Sequence, residues 1–502
     1  MSFAAKTIRP LWRPLWPLLW LCGVASLVLS ACGGSTDSGP RHFPNLANPA
    51  VTRLLSSVDA IGVGGAGLLS SNPDLADLQL RANRAGGTVQ LRFSCSGCSI
   101  TVRAAGATAG ANQYISVPFA SLAPASNAPV TVTDNVSGAV ATYTLHARTL
   151  DHAPYSIGTN SSPEPGDLYL TPFDPDGYGA GFAYIVGTDG ALKYYYRNPP
   201  GSDILDFKKT VIPGGATRYS FYDQAAAGIR VMDASFTTLT VVQARPFPDG
   251  NTYAVDGHDH VIVDDGHYLI GVYAAKAVNN IPSLPGQSLF VTGTGLQEIV
   301  GGTAVFSWLS TDQPQLYACS ARGNGYTANN GADYMHWNAL AVDTDGDWLA
   351  TFRHLDAVLK INRSTGAVRW TLGGSCDEFG LTTTQRFSSP HDARRAPDGR
   401  LTLFDVGAAG VLSRVTAFNL DEVGKTVTGF TAYTTDAHGS YNLGSAQLFA
   451  SGRALVGWGE FNGYDSDVSE YNLSSGALSF ELTLLPSYCT NGYFSYRARK
   501  FL

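Results

Sequence analysis

A turn glycine that recurs at a fixed interval constrains this chain more than any other feature. Gly346 in "TDGDWLATF", Gly399 in "PDGRLTLFD" and Gly452 in "ASGRALVGW" stand 53 residues apart, each opening an apolar or aromatic strand. The same texture occurs at Gly190 in "TDGALKYYY" and Gly266 in "DDGHYLIGVY". A second turn follows 20 to 25 residues after each of the three evenly spaced ones, at Gly366, Gly424 and Gly476. Each unit therefore reads strand, turn, strand, link, strand, turn, strand, the pattern of a β-propeller blade. Residues 155–502 hold about six such units, so the period predicts a six-bladed β-propeller. The wider gaps ahead of Gly346 are expected to hold insertions or a degenerate blade.

Composition agrees with an all-β chain. Gly 55, Pro 26, Tyr 24 and Phe 23 with only 15% charged residues describe many short strands joined by turns. No extended i, i+3, i+4 apolar pattern occurs after the N-terminal segment. Residues 44–150 alternate differently, in "GTVQLRFSC", "SITVRAA", "QYISVPFA", "PVTVTD" and "AVATYTLHAR". Short strands at this spacing predict a small immunoglobulin-like β-sandwich with a packing or docking role, ahead of a propeller domain over 155–502.

Residues 1–31 read as an address. A basic head (Lys6, Arg9, Arg13) and an apolar stretch lead into Leu29-Ser30-Ala31-Cys32, the pattern of a bacterial lipoprotein signal with Cys32 as the lipidated residue. Residues 32–43 then form a flexible tether. The chain is expected in the cell envelope, lipid-anchored, with Gly33 favouring an outer-membrane anchor that faces the periplasm. Removing residues 1–31 takes three basic groups and no acid, moving the net charge from −7 to −10. So acidic a chain excludes nucleic acid as a partner. Homo-oligomerisation stays open.

An oxidising compartment favours disulfides among Cys95, Cys98, Cys319, Cys376 and Cys489. "FSCSGCSI" lies between β-like runs, which favours a local Cys95–Cys98 disulfide over a redox centre. One of the last three cysteines is left over, and the pairing stays open.

The candidate chemistry lies a constant distance ahead of the turns. His258, Asn338 and His391 each stand eight residues before their turn glycine (Gly266, Gly346, Gly399), with His336 two residues before Asn338. Equivalent positions in successive blades are related by rotation about the axis, so these side chains are expected to converge there. Arg353, placed in the strand after the Gly346 turn, reaches the same centre. Three imidazoles, an amide and a guanidinium make an anion site with a possible nucleophile.

The segments "HDHVIVDDGHYLI", "MHWNALAVDTDGDWLATFRHLDAVLKINRSTGAVRWTLGG" and "SSPHDARRAPDGRLTLFDVG" resemble the bacterial arylsulfate sulfotransferases. The likeness runs from about Asp167 to Glu481 and is strongest from His258 to Gly407. It implies a periplasmic six-bladed propeller behind a β-sandwich, acting on aryl sulfates and phenols with no cofactor. On that resemblance His391 attacks sulfur and carries a transient sulfohistidine. His336, Asn338 and Arg353 hold the sulfuryl oxygens, and His258 is a sulfuryl ligand or the proton donor to the leaving phenol. Tyr334, Trp337, Phe404 and Trp458 are candidate phenol-binding aromatics by position. Departing from the pattern, Cys376 follows "TLGG" with no second cysteine nearby, which argues against a disulfide local to that loop. The chemistry agrees with the resemblance. Sulfuryl transfer needs a neutral nitrogen nucleophile and fixed donors around charged oxygens. The chain also has no Walker loop for a nucleotide donor.

Two rival readings remain. His258 and His260, i and i+2 with Asp256 and Asp259 near, are a possible start of a metal site, although no metal-sulfatase motif is present and no metal is expected. Alternatively the propeller only binds an anionic ligand or a partner protein, in which case a nucleophile is not required.

Overall fold

The computed structural model describes residues 48–62, 67–68, 77–81, 87–119, 127–148, 153, 155–174, 179–321, 332–408, 411–434, 439–461, 467–485 and 493–502. The expected signal, Cys32, the tether and Cys489 lie outside the described residues. The described chain is all-β apart from short helical turns.

Between residues 48 and 148 two sheets share one core. A three-stranded sheet (Ser57–Gly62, Gly87–Ser94, Tyr114–Phe119) packs on a six-stranded one centred on Asn127–Asp134 and Val140–Arg148. Period-two burial shows why these strands form: Val89, Leu91 and Phe93 point inward, as do Val130 and Val132 opposite them. Cys95 and Cys98 are disulfide-bonded at the end of one strand.

After residue 155 come six sheets with a four-stranded antiparallel core, each a leading strand with three more laid out in succession, besides a two-stranded sheet of Ser440–Asn442 with Glu460–Phe461 and a short strand, Ala332–Asp333, that pairs in parallel with Leu289–Val300. The leading strands are Ile204–Val211, Ala254–Asp264, Trp337–Val342, Pro390–Arg395, Ser445–Leu448 and Phe494–Phe501. Each touches the next in this order, and Phe494–Phe501 touches Ile204–Val211. The chain ends are interleaved. Phe494–Phe501 leads the sheet of Asp167–Phe173, while Tyr155–Asn160 adds an outermost fifth strand to the last sheet, against Leu478–Leu484.

The repeat reading needs one correction. Gly266, Gly346, Gly399 and Gly452 all close the first hairpin of their sheets, at φ of +84°, +87°, +85° and +84°. Gly190 instead closes the last hairpin of its sheet, the position of Gly366, Gly424 and Gly476. The gap before Gly266 holds a complete sheet whose first turn is Gly214–Gly215. The gap before Gly346 holds a long hairpin, His267–Val278 with Leu289–Val300, and two 3-10 turns.

The common register survives only near the turns. Ile262–Tyr268, Val342–Trp348 and Arg395–Leu401 pair at equal distances from their glycines. Farther back these three leading strands bulge: between Asp256 and His260, Trp337 and Ala339, and His391 and Arg394. A bulge frees backbone N–H groups from the ladder, and burial requires new acceptors for them. Side chains of the preceding leading strand supply an acceptor at the His391–Arg394 bulge, and also for N–H groups elsewhere along these edge strands. Asp259 accepts from Leu340 N at 2.8 Å, Asn338 Oδ1 from Asp392 N at 3.0 Å, and Asp392 Oδ2 from Ala446 N at 3.3 Å. The three buried carboxylates Asp206, Asp259 and Asp392 are neutralised by Lys208, Arg394, Arg497 and Arg499.

Candidate functional site

The bulged ends of these leading strands bring the sequence-chosen residues into one buried cluster. His391 is held on both sides by strained backbone. Ser389 has φ +49° and Asp392 φ +58°, conformations that cost about 1–3 kcal/mol each unless the surroundings enforce them. Here they do: Ser389 N donates to Asp356 Oδ1 at 2.6 Å, and Asp392 N to Asn338. His391 Nδ1 lies 2.9 Å from Ser389 O. A carbonyl only accepts, so the proton is on Nδ1 and the lone pair on Nε2. Burial holds the imidazole well below its ordinary range, and the nearby Arg353 guanidinium lowers it further.

His336, at φ +51°, is pinned by one carboxylate. Its N–H donates to Asp333 Oδ1 at 2.8 Å and its Nδ1 to Oδ2 at 2.6 Å. Arg353 sits just past the expected strand, in the 3-10 turn Arg353–Leu355. Its N–H donates to His336 O at 2.8 Å, which ties the two residues together. The guanidinium donates to His354 Nε2 at 2.8 Å and Asn442 Oδ1 at 2.6 Å.

Asn338 is buried and fully oriented. Its Oδ1 accepts from Asp392 N and Arg497 Nη2, so Nδ2 donates, to Tyr496 Oη at 3.2 Å. Arg497 Nη2 also donates to Asn338 O at 2.7 Å. His258 completes the cluster. Its ring lies 4.9 Å from that of His336 and 5.7 Å from that of Tyr496, centroid to centroid, and its Nδ1 is bonded to Asp256.

Several sequence expectations are corrected. His258 and His260 do not share partners: His260 turns to Ser220 (2.8 Å) and Asp206 (3.3 Å), because the bulge breaks strand alternation between them. Asp259 is committed to Lys208 and Arg394. Tyr334, Trp337, Phe404 and Trp458 are all core residues. Trp337, for example, fills the space where a Cβ at Gly271 would come within 1.9 Å. The cysteine pairing left open is settled in line with expectation, since Cys376 pairs outside its own loop, with Cys319, 57 residues earlier. The disulfide thus anchors a segment whose Ser320 and Ala321 donate to Tyr334 O (2.9 Å) and His354 O (2.7 Å).

Asp333, His354, Asn442, Tyr273, Tyr496 and Arg497 were missed. Only His354 carried a local signal, its adjacency to Arg353. Asp333, His336 and His354 offer ligand atoms within 4.8 Å of one another. However, His354 Nδ1 already donates to Asp333 O at 2.8 Å and its Nε2 takes Arg353 Nη1. A guanidinium against that nitrogen suits a positioning chain better than a cation site.

Burial is the first cause lowering the imidazoles of His260, His336 and His391, and it takes His354 to about 3. A folded-state value below the unfolded one of ~6.5 means that the unfolded chain binds the proton first, so stability falls as pH drops below ~6.5. Each of the four contributes up to about 1.4 kcal/mol per pH unit until the folded protein itself takes up the proton. Urea midpoints measured from pH 7.5 to 5 are therefore expected to fall steeply. A flat profile would mean that these rings are charged in the folded state.

Residues 230–476 match the family model described as arylsulfotransferase (ASST), a span that contains all five sequence-chosen residues. No curated protein matches the chain. Among solved structures, a Bacteroides caccae protein of unknown function is 12% identical, with 67% of this chain and 98% of that one covered and a TM-score of 0.41. A streptogramin B lyase is 12% identical, with 68% and 91% covered and a TM-score of 0.35. Virginiamycin B lyase from Staphylococcus aureus is 12% identical, with 66% and 100% covered and a TM-score of 0.31. Likeness at this level carries no functional information.

Proposed function

Because the chain belongs to the arylsulfate sulfotransferase family by its match over residues 230–476, we propose that it moves a sulfuryl group from an aryl sulfate to a phenol. The transfer is ping-pong, through a sulfohistidine on His391. The observation that carries this reading is His391 itself: a buried, neutral imidazole with its lone pair on Nε2, beside Arg353 and His336. The Nε2 lone pair forms the N–S bond as the S–O bond to the aryl oxygen breaks, and the electron pair leaves on that oxygen. The oxygens of the transferring group keep negative charge, which Arg353 and Asn338 stabilise as prepositioned donors, and the bound anion favours a second proton on His336, at Nε2, so that this ring donates as well. A phenol oxygen then takes the sulfuryl group, and the electron pair returns to Nε2.

In this reading the six sheets over 155–502 are the blades of a closed propeller, and residues 44–150 are an immunoglobulin-like module. Residues 1–31 are a signal, and lipidation of Cys32 places the enzyme in the cell envelope. The test is transfer from 4-nitrophenyl sulfate to added phenol without nucleotide, followed as nitrophenol release and sulfated acceptor. If no phenol tested is sulfated, the protein is a binder of anionic ligands or partner proteins instead.

A further inference from the structure

The four imidazoles of the cluster differ in what holds Nδ1. For His391 it is the carbonyl of Ser389 and for His354 the carbonyl of Asp333; for His336 it is the Asp333 carboxylate, and for His258 the Asp256 carboxylate. A carbonyl fixes a tautomer, whereas a carboxylate also stabilises the imidazolium. Of the two carboxylate-held rings, His336 lies in the cationic half of the cluster, against His354 (4.6 Å between centroids) and near Arg353. His258 lies on the other side of His336, toward Tyr496, on whose ring the Arg497 guanidinium stacks. The groups facing it are Asp256, the phenols of Tyr273 and Tyr496, and the His336 ring, with Tyr222 packed behind Asp256.

Asp256 is itself built in. It is 1% exposed, and its Oδ1 also accepts the backbone N–H of His258 at 2.9 Å. The glycine between them has no room for a side chain, since a Cβ at Gly257 would lie 2.4 Å from the Tyr222 ring. The Tyr273 hydroxyl comes within 3.3 Å of the same Nδ1. A carboxylate clamped in this way to one nitrogen, among phenols, is the arrangement of an acid–base pair.

We infer that Asp256 is a positioning residue that makes His258 the proton carrier of the site. The inference rests on the sulfuryl-transfer reading above. With Nδ1–H committed to Asp256, the exchangeable proton is on His258 Nε2. In the first half-reaction that proton passes to the aryl oxygen as the S–O bond breaks, and neutral phenol departs. In the second, the acceptor O–H returns a proton to Nε2 as its oxygen bonds to sulfur and the N–S bond to His391 breaks. Each cycle leaves both histidines as they began.

Protonating the leaving oxygen matters only when that oxygen is basic, so the test is leaving-group dependence. Asp256→Asn in the full chain is assayed with 4-nitrophenyl sulfate, whose phenolate leaves unaided, and with unsubstituted phenyl sulfate. The expected loss is about 10²-fold on phenyl sulfate and within ~3-fold on 4-nitrophenyl sulfate, as for removal of a general acid. An equal loss on both donors, or none on either, would overturn the inference by giving Asp256 a merely structural role. Folding of each variant is checked separately by circular dichroism and its urea midpoint. If Asp256→Asn does not fold, His258→Gln is judged by the ratio of its two losses alone, which should be greater on phenyl sulfate by on the order of 10-fold or more. A wild-type protein that sulfates nothing is a separate outcome, which removes the transfer reading itself.

Discussion

Replacing His391 with alanine is expected to remove sulfuryl transfer, by on the order of 10⁴–10⁶-fold, as when a covalent nucleophile is deleted. Arg353, His336 and Asn338 stay in place, so the variant should still bind the anionic donor. Neither Arg353 nor Asn338 can substitute for the ring: Arg353 has no lone pair to give, and Asn338 Oδ1 is occupied by Asp392 N and Arg497. His336 keeps its place against the Asp333 carboxylate, so it is not released toward the donor sulfur when the His391 ring is removed. The loss should therefore fall on kcat with little change in donor affinity. A second arm tests the intermediate: wild-type protein incubated with donor alone should carry an acid-labile sulfuryl group on the peptide containing His391, absent from His391→Ala. Transfer at a tenth of the wild-type rate or more in the variant would exclude His391 as nucleophile.

Replacing Arg497 with methionine is expected to cost about 3–5 kcal/mol of stability, the penalty for leaving buried charge unpaired. Its guanidinium is 2% exposed and lies 3.0 Å from Asp206, 3.4 Å from Asp259 and 3.7 Å from Asp392. It also donates to the carbonyl of Asn338, so the same change should loosen the amide in the site. Denaturant unfolding measures the first effect and the transfer assay the second. Adding Asp206→Asn to the methionine variant should restore part of the lost stability, because it removes one stranded carboxylate. A loss below about 1 kcal/mol would mean that Lys208, Arg394 and Arg499 neutralise the cluster without Arg497.

The turn glycines were legible because they are a local matter. A hairpin that needs φ near +85° selects glycine whatever surrounds it. The same fact explains the error at Gly190, where φ is +80°. The glycine marks a hairpin and carries no label for which hairpin of the sheet it closes, so a repeat counted on glycines slipped by two strands and hid the sheet that begins at Ile204. The eight-residue spacing did place His258, Asn338 and His391 on leading strands. It did not show that each of those strands bulges just there, since a bulge depends on what the neighbouring sheet offers to the freed N–H groups. The four proposed phenol-binding aromatics failed for a related reason: whether a Trp or Phe faces a funnel or a core is set by the packing opposite it, as Gly271 opposite Trp337 shows.

By itself the sequence determined the all-β character, the hairpin period and which residue types with reactive side chains stand on the leading strands, because backbone preference and side-chain reactivity belong to each residue alone. Only the tertiary structure decided which nitrogen of each imidazole is available, which histidine sits with a carboxylate, and that Arg497 holds Asn338 from 159 residues away. Those outcomes turn on desolvation and on charge pairing between strands distant in the chain. Burial strips water from a polar group and leaves its state to whatever partner a neighbouring strand provides.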